Sequence, residues 1–261
     1  MVKLSVVMVS KNSEKCIGRA IKSLESQTFK DFEVIFIDAV STDNTLKIIK
    51  KTKLPKVVIS EKDNGIYDAM NKGVRYASGQ FVYFLNTDDI VSDALVFERA
   101  MKYCNKDMLL LHGSTSVLSH GKVKDYFFAL NEENLKNGSF PAMQCIFYRR
   151  HFLAGMRGFN SSFKLAGDFD LLCRINKFLA GSKGRIIELP FSVGFLTPGG
   201  ASAVGNLGGI ELGRVIKQYF GEAAFLNWWF PKFTRSIGRN VLINVGMIDW
   251  YRAKVGKNVA S

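Results

Sequence analysis

Apolar and polar residues follow two alternating patterns along the first 90 positions of the chain. Short continuous apolar runs, typical of buried strands, are separated by segments with apolar residues every three or four positions, as at Ile17, Ile21 and Leu24. This alternation predicts an α/β fold with a mostly parallel central sheet and helices on both faces. Ser13 is predicted to cap the first helix. The predicted strands are 3–9, 32–38, 56–60 and 80–86, and a further helix is predicted over 66–77.

The pattern changes after residue 105. Two strand-like segments follow each other directly there, which predicts a small antiparallel extension of the sheet. A helix with two acidic residues in its first turn comes later, where the helix dipole favours negative charge. In chain order the segments are DMLLLHGS, KVKDYFFAL, QCIFY, the helix GDFDLLCRINKFL, and RIIELPFSVGFL.

The end of the chain has a different composition. Residues 197–209 are rich in glycine and are predicted to form a mobile loop. All three tryptophans lie beyond it among basic residues, a mixture typical of helices at an anionic lipid surface. Packing of these aromatics against the preceding domain is the alternative, and both interpretations stay open. We therefore predict a domain of residues 1–205 and a helical, aromatic and basic tail of residues 206–261.

Composition narrows the classes of protein that this pattern allows. The formal net charge of +13 favours anionic partners, but no DNA- or RNA-binding motif accompanies it, so nucleic acid is not an expected partner. The four cysteines are scattered without a CxxC pair, which is typical of reduced thiols in a cytosolic setting. We find neither a signal-peptide pattern nor a run of about 18 apolar residues, so we expect a cytoplasmic protein that meets membranes from the surface.

Carboxylates follow two of the predicted strands. Asp38 ends the second strand, and Asp88 and Asp89 follow the fourth. In parallel sheets, ligands gather at the carboxyl ends of the strands, so polar chemistry is predicted at this edge. Two adjacent acids can hold a hard divalent cation, whereas Asp38 can accept hydrogen bonds from a base or a ribose. The alternatives are a helix cap at Asp88–Asp89 and a turn at Asp38.

Two predicted helices bring further polar groups. Asp68 and Lys72 lie about one turn apart on the helix over 66–77, and Lys72 is a candidate phosphate ligand. Asp168 and Asp170 open the later helix, where one carboxylate can act as a general base. Side chains two residues apart on a helix point in different directions, so we expect one catalyst and one structural partner. HExxH, GxSxG and P-loop motifs do not occur, which disfavours hydrolase and NTPase functions.

Taken together, three segments in this order and spacing resemble the family 2 glycosyltransferases with the GT-A fold. The version with GIYDAMNKG is similar to the branch of bacterial exopolysaccharide and O-antigen synthesis, including colanic acid-type transferases. The segments span residues 4–174 and are SVVMVSKNSEKCIGRAIKSLESQTFKDFEVIFIDAVSTDNT, DNGIYDAMNKGVRYASGQFVYFLNTDD and PAMQCIFYRRHFLAGMRGFNSSFKLAGDFDLLCR.

The resemblance implies a role for each candidate residue. Asp38 matches the aspartate that contacts the nucleobase, and Ser10 with Asn12 matches the first loop on the nucleotide side. Asp88 is expected near the ribose or the metal, and Asp89 near the metal, which would be Mn²⁺ or Mg²⁺. Among the acids of the later helix, Asp168 matches the general base.

The resemblance also implies a reaction and its partners. The expected reaction is transfer of a sugar with inversion, from a nucleotide-sugar that is by default a UDP-sugar, to a lipid-linked oligosaccharide. The protein is then expected on the inner face of the plasma membrane, with the 197–209 loop closing over the donor. The alternatives are a nucleotidyltransferase, which ordinarily has a glycine-rich loop after the first strand, and a non-catalytic polysaccharide- or membrane-binding module of the same fold.

Overall fold

A computed structural model describes residues 2–119, 122–196 and 207–237. The strands are β1 (Leu4–Ser10), β2 (Phe32–Asp38), β3 (Lys56–Ser60), β4 (Phe81–Phe84), β5 (Ile90–Val91), β6 (Met108–Ser119), β7 (Lys122–Tyr126), β8 (Ile146–Arg149) and β9 (Arg185–Leu196). The helices are α1 (Ile17–Glu25), α2 (Thr45–Lys51), α3 (Ile66–Tyr76), α4 (Val96–Lys102), α5 (Glu132–Lys136), α6 (Arg150–Gly155), α7 (Gly167–Leu179) and α8 (Leu207–Ile237), with a short 3-10 helix at Met143–Cys145.

The strands of the described residues form one sheet in the order β3-β2-β1-β4-β8-β6-β9-β5, and β7 pairs with β6. Strands β1 to β4 pair in parallel, as the alternating pattern predicts. The antiparallel pairs begin where β8 joins β4, and they include β6 with β7. The predicted α/β fold, with its antiparallel extension, is therefore confirmed.

Helices cover both faces of the sheet because successive strand residues point to opposite sides. On β1, Val7 belongs to a core with α3, α7 and α8, whereas Val6 belongs to a second core with α1, α2 and α4. Both valines are buried. The continuous apolar runs of β1 and β2 follow from this two-sided burial, which is typical of parallel strands.

The first helix begins differently from the prediction for Ser13. The residue before α1 is Cys16, and the backbone carbonyl of Ser13, rather than its hydroxyl, accepts the Cys16 and Ile17 amides at 3.0 Å. The Ser13 backbone amide donates to Thr45 Oγ1 at 2.7 Å, which ties this turn to α2. Prediction of a side-chain cap at Ser13 was therefore wrong, because tertiary contacts fix the turn.

Helix α8 bends at Gly221, whose φ of 83° lies outside the helical region, and its described part packs on the first core. Val215 and Ile216 are fully buried, and Trp228 is 8% exposed. For Trp228, the packing interpretation of the aromatic tail is therefore correct. The tail after residue 237 and residues 197–206 of the glycine-rich segment lie outside the described residues.

The last part of the predicted loop is helical instead. Residues 207–209 belong to α8, although two of them are glycines, which are weak helix formers. Tertiary contacts that α8 makes within its next two turns override this local preference. Among the described residues, no helix combines the length and the apolar character that crossing a membrane requires.

Candidate active site

Three neighbouring strands bring their last residues together at Asp38. Ser10 at the end of β1 pairs in register with Asp38 at the end of β2, which pairs with Ser60 at the end of β3. The fully buried Asp38 carboxylate accepts the Ser10 hydroxyl at 3.0 Å, the Ser60 hydroxyl at 2.9 Å and the Ser41 amide at 2.8 Å. These bonds compensate for its burial and fix its orientation. The Ser41 contact is also a turn of the kind that the alternative for Asp38 predicts.

The loops that follow β1 and β2 are joined by side-chain hydrogen bonds. Asn12, whose φ is 49°, donates its amide to Ser41 Oγ at 2.8 Å, and its side-chain oxygen accepts the Thr42 amide at 2.9 Å. Glu14 donates its amide to Asp43 Oδ2 at 3.0 Å. Since each loop is held by the other, Ser10, Asn12 and Asp38 lie on one fixed wall at the carboxyl end of the sheet.

The acidic pair lies in the turn between β4 and β5. Asp89 is 2% exposed and accepts the Asn86 side-chain amide at 3.1 Å, whereas Asp88 is partly exposed. Helix α4 does not begin until Val96, and Asp93, rather than the pair, accepts the Leu95 amide at 2.8 Å. The helix-cap alternative for Asp88 and Asp89 was therefore wrong.

Residues 86–89 supply carboxylate, amide and hydroxyl oxygens, the hard ligands that Mg²⁺ and Mn²⁺ prefer. Within the described ranges, no group of three or more acidic, histidine or cysteine side chains forms a complete metal cage. One or two carboxylates suffice where substrate phosphates and water complete the coordination shell. The donor set therefore fits a metal ion that binds together with a nucleoside diphosphate.

Asp68 lies in the first turn of α3 and Lys72 one turn further along, and both contact the loop that follows β3. The Lys72 ammonium is 2.8 Å from Glu61 Oε1 and 3.6 Å from Asp68 Oδ2, and it donates to the Lys62 carbonyl at 2.7 Å. Its pKa is raised, chiefly by the hydrogen bond to Glu61. Asp68 also accepts the Asn64 amide at 3.0 Å. Both side chains thus hold the β3–α3 loop, and their predicted contacts with the donor stay predictions.

Asp168 lies in the first turn of α7, partly buried against α3. Its Oδ1 accepts the Tyr67 hydroxyl at 3.1 Å and the Phe169 amide at 2.8 Å. Burial raises the pKa of the Asp168 carboxyl, and these two hydrogen bonds offset part of that rise. Burial, followed by the charge of Asp168, also raises the pKa of Tyr67, so the phenol stays protonated and continues to donate.

Gly167 explains how Tyr67 comes so close to Asp168. A Cβ atom at position 167 would lie 2.7 Å from the Tyr67 ring, closer than real side chains approach. Asp170, two residues after Asp168, accepts the Arg174 Nε at 2.9 Å and the Tyr219 hydroxyl at 3.0 Å. Asp168 and Asp170 thus contact different partners, as their spacing predicts.

A tight turn before α7 is held by α3. The Asn71 side-chain amide donates to the Phe159 carbonyl at 2.8 Å and accepts the Phe159 amide at 2.9 Å. Gly158 has a φ of 61°, and a Cβ there would lie 2.3 Å from Asn71 Oδ1. Arg174 of α7 donates to the Gly158 carbonyl at 2.7 Å. Helices α3 and α7 are therefore joined through this turn as well as through the bond between Tyr67 and Asp168.

Sequence reasoning missed three of the residues that surround Asp168. Tyr67 lies inside a segment that carries the family resemblance, so its position was a usable signal. Glu211 and Tyr219 belong to α8, and both contact the region of Asp168 from about 45 residues away in the chain. Local sequence contains no signal for such pairings.

The wall around Asp38, the acidic turn at Asp88 and Asp89, and the partly buried Asp168 carboxylate belong to one α/β scaffold. The chain matches Glycosyl transferase family 2 over residues 5–161, more than half of its length, and it belongs to that family. The predicted class of enzyme is therefore confirmed, and the nucleotidyltransferase alternative is set aside. The matched range ends before Asp168.

Relatives and solved structures are consistent with this assignment. The chain is 28% identical over 176 residues to a PGL/p-HBAD biosynthesis glycosyltransferase of Mycobacterium bovis, covering 65% of this chain and 68% of that protein. It is 30% identical over 129 residues to WfgD of Escherichia coli, a UDP-Glc:alpha-D-GlcNAc-diphosphoundecaprenol beta-1,3-glucosyltransferase, covering 48% and 51% of the two chains. S. aureus TarS 1-349 in complex with UDP-GlcNAc has a similar fold, with a TM-score of 0.69 and 21% identity over 93% of this chain and 75% of that one.

Proposed function

We propose that the protein transfers a sugar, with inversion, from a UDP-sugar to a hydroxyl of a lipid-linked glycan in bacterial surface polysaccharide synthesis. The hydrogen bond between Tyr67 and Asp168 is the observation that carries this proposal. Helix α3 follows the parallel strand β3, so Tyr67 in its first turn lies at the carboxyl edge of the sheet. The bond therefore supports a position for the Asp168 carboxylate, whose pKa is raised, at the same edge as Asp38 and Asp89.

In this proposal, Asp38 binds the nucleobase, and Ser10 and Asn12 shape the pocket around it. Asp88 and Asp89 would hold Mn²⁺ or Mg²⁺, which when bound neutralises negative charge on the departing diphosphate. The fixed orientation of these groups matters because preorganised electrostatic interactions need little rearrangement during the reaction.

Asp168 is proposed to act as the general base. Its carboxylate takes the proton of the acceptor hydroxyl, whose oxygen forms a bond to the anomeric carbon as the bond to the nucleoside diphosphate breaks. Attack from the face opposite the leaving group inverts the configuration at that carbon. A base whose pKa is raised towards the working pH accepts a proton more effectively than an ordinary aspartate.

The proposed acceptor and the proposed location of the protein are supported by different observations. WfgD acts on a diphosphoundecaprenol-linked sugar, which supports a lipid-linked acceptor here. A net charge of +13 and the basic residues of 206–261 support contact with the anionic inner face of the plasma membrane. We keep the division between a catalytic domain of residues 1–205 and this tail as part of the proposal.

The test is calorimetric binding of UDP, GDP and dTDP, each with and without Mn²⁺, to the wild type and to Asp89→Asn. We expect metal-dependent binding of UDP that the substitution weakens, since it removes a charge from the acidic pair. Asp107→Asn, an exposed aspartate, is the matched control and is expected to bind UDP as the wild type does.

Turnover is measured next, with UDP-glucose and GlcNAc-diphosphoundecaprenol as probes, and the anomeric configuration of the product is read by NMR. A retained configuration would contradict the inverting mechanism. Failure to bind any of the three nucleotides would instead favour the non-catalytic binding module.

A further inference from the structure

Glu211 of α8 is a buried glutamate whose carboxylate contacts three consecutive backbone amides. It is 5% exposed and accepts the amides of Lys164 at 3.0 Å, Leu165 at 2.8 Å and Ala166 at 3.0 Å. These residues lead directly into α7, whose first turn contains Asp168. An isolated buried charge is strongly unfavourable, so these bonds bind Glu211 and the 164–166 segment to each other.

Helix α7 needs such a partner because its own sequence provides no side-chain cap at its start. The residue before its first turn is Ala166, which has no polar side chain. The amino end of a helix carries a partial positive charge that a nearby carboxylate stabilises. Glu211 thus adds, from another helix, negative charge beside the start of α7, next to that of Asp168 and Asp170 in its first turn.

A second side chain of α8 reaches α7 on the other side of Asp168. The Tyr219 hydroxyl donates to Asp170 Oδ1 at 3.0 Å, and Asp170 is paired with Arg174 at 2.9 Å. Glu211 therefore holds residues 164–166, which lie two to four positions before Asp168. Tyr219 holds Asp170, which lies two positions after it. Between them these contacts restrict both the position and the rotation of the first turn of α7.

We propose that Glu211, assisted by Tyr219, is a positioning residue for the carboxylate of Asp168. Helix α8 then serves the catalytic unit although it lies in the predicted tail and beyond the range that matches the family. This inference rests on the proposed role of Asp168 as general base. It concerns how the base is held, and donor binding at Asp38 and Asp89 is independent of it.

The proposal predicts a change that loss of folded enzyme cannot produce. Burial is the largest cause of the raised pKa of Asp168, so loosening the 164–166 segment should admit water and lower that pKa. The general base is active when ionised, so the acid limb of kcat/KM should move to lower pH in the Glu211 variant. Loss of folded enzyme would lower the rate, and unfolding in acid would move the acid limb to higher pH, in the opposite direction.

The experiment compares the wild type with Glu211→Gln, Tyr219→Phe and the matched control Glu222→Gln. Glu222 lies on the same helix, but it is exposed and its carboxylate is 3.2 Å from Lys217. In Glu211→Gln we expect amide hydrogen exchange in 164–166 to be faster by about tenfold or more, because a charged acceptor is lost. We expect kcat to fall about 10- to 100-fold, as a displaced catalytic group requires, with UDP affinity unchanged.

Tyr219→Phe should move the acid limb and lower kcat in the same directions with smaller amplitude, and Glu222→Gln should leave amide exchange, the acid limb and kcat unchanged. Unchanged amide exchange in 164–166 of Glu211→Gln, or a lower rate with an unshifted acid limb, would overturn the positioning role. If instead Asp168→Asn transfers sugar as fast as the wild type, the general-base assignment is what fails. Thermal unfolding and UDP-binding stoichiometry report whether each variant is folded. If Glu211→Gln does not fold, Tyr219→Phe is the variant that tests the positioning role.

Discussion

The edge around Asp38, which we propose binds the donor, and the region of Asp168 are built in different ways. At the donor side, Ser10, Asp38 and Ser60 end adjacent parallel strands, and every residue involved lies within the first 90 positions. Asp168 instead depends on Tyr67, which is 101 residues earlier, and its helix is held by Glu211 some 45 residues later. One region follows from strand order, and the other is assembled from three distant parts of the chain.

This difference predicts which measurable property a substitution in each region should alter. The Asp38 carboxylate has several hydroxyl and amide donors, so a substitution there should alter ligand binding and local stability. The Asp168 region has one chemical group supported from several helices, so changes there should alter the rate and its pH dependence. Four substitutions test this comparison, from the largest expected effect to the smallest.

Asp168→Asn should lower kcat by about 10²- to 10⁴-fold, the usual contribution of a general base. UDP affinity should not change, because the proposed role of Asp168 is to act on the acceptor hydroxyl. Transfer kinetics and calorimetry measure the two quantities, and Asp107→Asn is the control for a neutralised aspartate elsewhere. A parallel loss of UDP binding would show that the two regions are not separate.

Asp38→Asn should weaken UDP binding by about tenfold or more, because a charged hydrogen-bond acceptor is lost. It should also lower the free energy of unfolding by about 1–3 kcal/mol, since the amide group faces buried donors from Ser10 and Ser60. Calorimetry and urea denaturation measure these effects. Asp31→Asn, just before the opposite end of β2, is the control. Lower stability with normal UDP affinity would favour the turn interpretation of Asp38.

Gly158→Ala should lower the free energy of unfolding by about 2–3 kcal/mol. Alanine is strained at a φ of 61°, and its Cβ would displace the Asn71 side chain that holds Phe159. Gly155→Ala is the matched control, because nothing lies within 4 Å of a Cβ there. Urea denaturation measures both variants, and equal stabilities would mean that the turn does not join α3 to α7.

Tyr67→Phe should shift the acid limb of kcat/KM to higher pH, by about one unit or less. The phenol stabilises the ionised form of Asp168, so its removal raises the pKa of that carboxyl further. Since the base works only when ionised, activity is then lost at a higher pH. Tyr76→Phe, at the exposed end of the same helix, is the control, and a shift in the opposite direction would contradict the assigned hydrogen bond.

Local patterns in the sequence were enough to predict much of the fold. Strands β2 and β3 and helix α7 begin and end at the predicted residues, because a continuous apolar run or a helical repeat is a property of neighbouring positions. The predicted cap at Ser13 and the predicted loop over 207–209 were wrong, because contacts with Thr45 and with 164–166 determine those segments.

The same distinction applies to the candidate site. Acids at strand ends are visible in the sequence because chain order places them on one edge of a parallel sheet. Partners such as Glu211 are not, since a glutamate on a helix usually faces water and its burial depends on which loop lies opposite. The role of each candidate residue in the reaction stays a prediction.

The order in which the ribosome makes the chain gives the α8 contacts a further consequence. Asp168 and the 164–166 segment are synthesised before Glu211 and Tyr219. A chain interrupted before residue 207 therefore contains the wall around Asp38 but lacks the contacts that support Asp168, the proposed general base. Such a fragment is expected to bind nucleotide but to transfer sugar slowly. Prematurely ended chains would then sequester a little donor and would not extend glycans at the normal rate.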